Sequence, residues 1–392
     1  MSEAEQPTSE LKNLMIGWRH DFHQHPELGF NEHRTAKKVS QLLASFGIEV
    51  HSGVGQTGVV GVLQKGNATR SIGLRADMDA LPIHETGDAA YRSLSDGVMH
   101  ACGHDGHTAM LLGAAKHLAD NGNFNGRVVF IFQPNEEHGL GAPAMLDDGL
   151  FDRFDVDEVH GMHNIPGMPT GTFASRAHAM TASESLFEIK VSAMGGHAAM
   201  PHMGVDAITV GAEIVGALQT IVSRKLNPGL NGVVSVTEFE TDGRRNVLPG
   251  SGTLRGDARA LSPDINQAIE MHMRRIVDGI CAAHGVTASV SYDTIFPATI
   301  NAPTATRSAV RAAQALAGVD AVDGDCPPKL FSEDFAHLAN ARPGCFMLMG
   351  NGAYGAHAKA LHSSDYDFND AALVPGSSYW VTLVEQQLDG DA

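Results

Sequence analysis

The sequence predicts an α/β protein built on a mostly parallel sheet, with a second, smaller sheet domain inserted into it. Three observations predict this. Four short apolar runs, Ile72 to Ala76, Val128 to Phe132, Val156 to Met162 and Cys345 to Met349, lack the polar alternation of a half-exposed strand. Strands covered on both faces read this way. An Ala/Leu-rich stretch, Thr108 to Leu118, separates the first two runs and gives the strand, helix, strand order of an α/β layer fold. From Glu184 to Ala298 the pattern changes to strand, helix, two strands, helix and strand, the split-βαβ arrangement.

Taken in chain order, Leu14, Trp18 and Phe22, then Val39, Leu42, Leu43 and Phe46, recur at helical spacing on either side of His25-Pro26-Glu27. Two helices therefore flank a turn. The buried runs and the Thr108 helix follow. In the insert, Phe187 to Val191 alternates, Val205 to Leu218 is helical, Gly232 to Phe239 and Gly252 to Ala258 alternate, Ile265 to Ala283 is helical, and Ala288 to Tyr292 alternates again. Ala309 to Ala317 and Asp334 to Asn340 are helical before the last buried run. The implied division is 1–183 with 299–392 for the larger α/β domain and 184–298 for the insert. Hinges are expected near Ser183 to Ser185 and Pro297 to Asn301.

Composition narrows the function classes. A chain of 392 residues exceeds what one hydrophobic core usually serves, in keeping with two domains. At 43% hydrophobic and 18% charged it is a folded globular protein. Its 27 Lys and Arg against 45 Asp and Glu leave −18, a field that repels nucleic acid and anionic membrane surfaces, so neither is an expected partner. Four scattered cysteines make no disulfide framework and point to a reducing compartment. The polar, acidic stretch Met1 to Glu10 resembles no leader, and no apolar run approaches the roughly 20 residues that span a bilayer. The expected location is cytoplasmic.

In parallel sheets, ligands bind beyond the carboxyl ends of the strands. Each buried run delivers polar residues there: Arg75-Ala76-Asp77-Met78-Asp79, Gln133-Pro134-Asn135-Glu136-Glu137-His138, His160-Gly161-Met162-His163-Asn164, and, beyond the fourth, Leu361-His362-Ser363. The densest group, His100 to His107, places Cys102 and His104 in a glycine-flanked loop just before a helix. Thiolate, imidazole and carboxylate hold Zn²⁺ and its borderline neighbours. One such site would not use up Cys102, His104, Glu137, His163 and His362, so five candidates imply two metals. Two cations can clamp a carbonyl and activate water while an unligated carboxylate moves the proton. The pair Glu136-Glu137 fits that division, one coordinating and its neighbour addressing the water.

The motifs His100-Ala-Cys-Gly-His-Asp-Gly-His107, Phe132-Gln-Pro-Asn-Glu-Glu137, Gly195-Gly-His-Ala-Ala-Met-Pro-His202, Asn246-Val-Leu-Pro249 and Leu361-His-Ser363 together resemble the metal-dependent aminoacylase and carboxypeptidase G-type peptidase family. The nearest branch is that of hippurate hydrolases, N-acyl-amino-acid amidohydrolases and auxin-conjugate hydrolases. His25 to Phe30 and Asp365 to Asp370 extend the likeness to nearly the whole chain. The resemblance implies a phosphorylase/hydrolase-like catalytic domain and a ferredoxin-like insert acting as lid and dimerisation domain. It implies Cys102, His104, Glu137, His163 and His362 as ligands of two divalent ions per subunit (Zn, Mn, Co or Ni), with Glu136 as general base. His197 would reach the partner subunit's site and stabilise the oxyanion, and Asn246 and Arg259 would contact substrate. Asn135 stands where the family more usually has Ala, and Ala177 to Met180 replace a Pro-rich segment.

Some assignments come from residue chemistry alone. Asp77 and Asp105 are expected to orient ligand histidines from behind, a role carboxylates commonly take. His202 is a candidate for either substrate contact or a scaffold role. His23 and His25 read as structural, His107 as a capping or supporting residue, and Cys281, Cys326 and Cys345 as packing residues. The expected activity is metal-dependent hydrolysis of the amide of N-acyl or N-aroyl amino acids by a homodimer. The alternatives are a dipeptidase or aryl-amine hydrolase using the same centre, and a catalytically silent ligand-binding module.

Overall fold

A computed structural model describes residues 8–389. In chain order the elements are α1 (Ser9–Gln24), α2 (His33–Ser45), β1 (Glu49–Val54), β2 (Gly58–Lys65), β3 (Ser71–Asp77), α3 (His104–Asp120), β4 (Gly126–Gln133), α4 (Gly141–Asp147), α5 (Leu150–Arg153), β5 (Glu158–Pro166), β6 (Phe173–Ala174), β7 (His178–Thr181) and β8 (Ser183–Ser192). There follow β9 (Gly196–His197), α6 (Ala207–Thr220), β10 (Gly232–Thr241), β11 (Val247–Leu248), β12 (Ser251–Ala260), α7 (Pro263–His284), β13 (Thr287–Phe296), β14 (Thr299–Asn301), α8 (Pro303–Ala317), β15 (Val322–Asp323), α9 (Phe335–Ala341), β16 (Gly344–Gly352) and α10 (Leu373–Gln387). The described residues form two compact units, one of residues 8–180, 300–327 and 334–389, the other of 181–299 and 328–333.

The larger unit is built on an eight-stranded sheet in the order β1-β2-β4-β3-β5-β16-β6-β15. Its four central strands run parallel, as β4 with β3, β3 with β5 and β5 with β16. These are the four apolar runs, and their side chains divide between two cores. Val128, Phe130 and Phe132 of β4 join Trp18, Leu112 and Trp380 on one side, while Val129 and Ile131 join Val60, Phe335 and Phe346 on the other. The two-residue period of a strand explains the split.

Two differences from the sequence reading have local causes. β1 and β2 add an antiparallel edge beside β4 that the apolar runs did not reveal, because Glu49–Val54 is mostly polar and partly exposed. Helix α3 starts at His104 instead of Thr108, because Gly103 before it takes a left-handed conformation (φ 92) that opens the helix early.

In the smaller unit the elements run β8, α6, β10, β12, α7 and β13; the four strands form an antiparallel sheet ordered β10-β12-β8-β13, and α6 and α7 pack with it. Phe187, Ile189 and Val191 of β8 pack with Leu254 of β12, Ile214 of α6 and Met273 of α7. Intervening β8 residues stay at least partly exposed, as the alternation in its sequence predicts. Among the described residues no helix is long and apolar enough to cross a membrane.

Candidate metal centre

The chemistry-bearing residues of the larger unit gather around the carboxyl ends of its central strands, where parallel sheets place their ligands. Gly103 brings Cys102 and His104 there. A Cβ at Gly103 would lie 2.4 Å from Asn164 Oδ1 and 2.7 Å from the Tyr366 hydroxyl, so the position requires glycine for space as well as for its positive φ.

The five candidate ligands converge. Cys102 Sγ lies 3.3 Å from His163 Nε2. Glu137 places Oε1 3.9 Å from His104 Nε2 and Oε2 3.5 Å from His362 Nε2. Donor atoms of Cys102, His104 and His163 all lie within 4.8 Å of one another, as do those of Cys102, Glu137 and His362, and those of His104, Glu136 and Glu137. His362 sits in a left-handed backbone conformation (φ 64), its amide bonded to the Ala101 carbonyl at 2.8 Å.

Hydrogen bonds aim the imidazoles inward. His163 Nδ1 donates to the Asn164 carbonyl at 2.7 Å, which leaves Nε2 as the lone-pair nitrogen beside the thiol. His104 Nδ1 donates to the Asp79 carbonyl at 2.9 Å and lies 3.2 Å from its carboxylate. Asp79 was not singled out by the sequence reading, although the spacing Asp77-Met78-Asp79 returns both carboxylates to one side of an extended chain. Asp77 Oδ1 instead bonds His107 Nδ1 at 2.6 Å, with Oδ2 3.7 Å from His104 Nε2. Buried Arg75 holds Asp77 from behind, donating to it at 2.8 Å, to Asp334 at 2.9 Å and to Gln133 at 2.9 Å.

Asp105 does not support a candidate ligand. Its carboxylate bonds His23 Nδ1 at 2.9 Å and Arg19 at 3.3 Å. One residue along a helix is a rotation of about 100°, so Asp105 points away from the side that His104 faces.

The electrostatics favour an added cation. Burial, reinforced by the carboxylates of Glu137 and Glu136, holds the Cys102 thiol well above its ordinary value. Burial opposes protonation of His104, but Asp77, Asp79 and Glu137 outweigh it and push its pKa up to about 10. Burial and the neighbouring His107 hold His163 well below the usual imidazole range. The carboxylates of Asp77, Asp79 and Glu137 thus set a negative field at His104, the field that a bound cation would meet. His104 Nε2 and Glu137 Oε1 are buried yet make no hydrogen bond among the described residues. Two inward-facing orphaned donors among thiol, imidazole and carboxylate fit a divalent cation of zinc's kind.

The remaining candidates lie in the smaller unit. His197 on β9 pairs with Val247 on β11, and the Ala198 amide bonds the Asn246 carbonyl at 3.1 Å, so His197 and Asn246 share one corner. His197, His202 and Asn246 are all exposed. Arg259 is engaged by Glu184 at 2.8 Å, Asp257 at 2.8 Å and Ser332 at 2.7 Å.

Residues 73–386 match the pattern of Peptidase family M20/M25/M40. The chain is 40% identical over 370 residues to a hippurate hydrolase of Campylobacter jejuni, covering 94% of this chain and 95% of that protein. It is 40% identical over 301 residues to an N-acyl-L-amino acid amidohydrolase of Geobacillus stearothermophilus, covering 76% and 81%. The crystal structure of the Bacillus subtilis YXEP protein, described as a dinuclear metal binding peptidase, superposes with a TM-score of 0.85 at 31% identity, covering 97% of this chain and 99% of that one. The chain therefore belongs to Peptidase family M20/M25/M40, in the branch that holds hippurate hydrolases and N-acyl-amino-acid amidohydrolases.

Proposed function

We propose that this protein hydrolyses the amide bond of N-acyl or N-aroyl amino acids at a centre of two divalent cations held by Cys102, His104, Glu137, His163 and His362. The observation that carries the reading is the convergence of those five side chains, with Glu137 presenting one oxygen toward His104 and the other toward His362. Cations bound there supply Lewis-acid polarisation of the scissile carbonyl and lower the pKa of water. Glu136, whose carboxylate lies within 4.8 Å of donor atoms of His104 and Glu137, takes the proton of the attacking water and returns it to the leaving nitrogen. The C–N bond breaks to give a carboxylate and a free amino acid. Asp79 and Asp77 hold His104 and His107 in place throughout.

The smaller unit, with the element order and sheet of a ferredoxin-like domain, is proposed as lid and dimerisation domain. His197 of the partner subunit would then steady the developing oxyanion, with Asn246 and Arg259 on the substrate. All four cysteines are buried and, among the described residues, none forms a disulfide, which supports a reducing, cytoplasmic setting.

A panel of N-acetyl, N-benzoyl and N-indolylacetyl amino acids alongside dipeptides tests the substrate class. Hydrolysis of at least one acyl class with kcat/KM at least about tenfold above any dipeptide is expected, a preference of about 1.4 kcal/mol. Cleavage of dipeptides alone would overturn it. Mixing inactive Glu136→Ala and His197→Ala subunits tests the shared histidine. A mixed dimer restores one intact site, so activity returns; confirmed subunit exchange without activity would exclude a role across the interface.

A further inference from the structure

The backbone around Glu136 is held at two points by buried carboxylates. The amide of Asn135 donates to Glu32 Oε1 at 2.8 Å, and the amide of Glu137 donates to Asp79 Oδ2 at 3.0 Å. Glu136 is thus carried on a short span whose flanking N–H groups are both anchored. The span needs anchoring, because Asn135 adopts a left-handed conformation (φ 47) as the chain leaves β4, a region that residues with a Cβ visit at a cost. Its side chain is pinned as well: Oδ1 bonds His138 Nδ1 at 2.7 Å and fills the place where a Cβ on Gly29 would lie only 1.9 Å away.

Unlike Asp79, which also holds His104, Glu32 makes no side-chain bond to a candidate ligand among the described residues. It occupies the residue before α2, where a carboxylate ordinarily caps its own helix, yet it makes no capping bond. Glu27 performs that task, accepting from the amides of Arg34 at 3.0 Å and Thr35 at 2.8 Å. Glu32 is fully buried and reaches across the fold, with Oε1 on Asn135 and Oε2 accepting from the Thr57 hydroxyl at 2.6 Å. A carboxylate is buried this completely only when its oxygens are bonded, and here both bonds serve the Asn135 step.

We propose that Glu32, set by Thr57, is a positioning residue that fixes the left-handed step at Asn135 and thereby the reach of Glu136 toward the reacting water. This rests on the reading of Glu136 as the base. What matters is the acceptor Oε1, so glutamine, which keeps that oxygen and turns its amide toward the Thr57 hydroxyl, substitutes for it. Methionine, of similar volume, does not.

The test compares Glu32→Met, Glu32→Gln and Thr57→Val, measuring kcat, KM, bound cation and thermal unfolding, with Glu32→Met repeated in a Glu136→Gln background. Glu32→Met is expected to lower kcat by about 10- to 100-fold, with KM within about twofold and cation content unchanged, the scale of a misplaced reacting group. Glu32→Gln stays within about threefold of wild type, and Thr57→Val shows the same pattern as methionine on a smaller scale, several-fold in kcat. In the Glu136→Gln background Glu32→Met adds no further loss, because the group it positions is already gone. Equal losses for Gln and Met, a loss confined to KM or cation content, or losses that multiply in the double variant would overturn the proposal. If Glu32→Met does not fold, Thr57→Val decides, and an unchanged kcat there counts against it. Full activity of Glu136→Gln alone would instead remove the base on which the proposal rests.

Discussion

Glu136→Gln lowers kcat by roughly 10²–10⁴-fold while leaving cation content and unfolding temperature near wild type, as measured by steady-state kinetics, elemental analysis and thermal melting. The split is expected because Glu136 and Glu137, adjacent in sequence, face different partners. Both oxygens of Glu137 turn to imidazoles, one to His104 and one to His362, whereas the Glu136 carboxylate lies within 4.8 Å of donor atoms of His104 and Glu137. Glutamine keeps the shape and most of the hydrogen-bonding capacity of the side chain but cannot accept and return a proton. A variant that keeps more than about a tenth of wild-type kcat would show that another group carries the proton.

Glu137→Ala produces the opposite signature: cations are lost first and turnover with them. Its two oxygens link His104 to His362, and among the described residues no other carboxylate groups with both Cys102 and His362. Without it, His362, more than half exposed in its side chain, has no other carboxylate partner among the described residues to hold it inward. Loss of even a supporting partner costs about 10- to 100-fold in affinity at metal sites, so loss of a shared ligand is expected to exceed about 100-fold, with turnover near background at micromolar cation. Saturating cation restores part of the activity of Glu137→Ala and none of that of Glu136→Gln. Tight cation retention by Glu137→Ala would remove it from the ligand set.

What could be read from the sequence was what repeats or clusters along it. The four parallel strands were legible because burial on both faces leaves unbroken apolar runs, and the alternating strands of the smaller unit because one face meets α6 and α7. The five candidate donors stood out because they lie in dense polar motifs within or just beyond the buried runs, or beside the start of a helix. Orientation was not legible. Whether Asp79 or Asp105 stands behind His104 depends on where α3 begins, and that turned on the conformation of a single residue, Gly103. Nor was Glu32, whose partner Asn135 is 103 residues away and is recognised through its backbone amide, a group that every residue except proline carries.

The central claim, that five side chains hold two catalytic cations, is tested most directly by titrating chelator-stripped protein with Zn²⁺ or Mn²⁺ and following bound cation per chain together with hydrolysis of an N-acyl amino acid. The stripped protein is expected to be inactive, with activity that rises with bound cation and levels off at two per chain. Stripped protein that hydrolyses its substrate at the wild-type rate would contradict it.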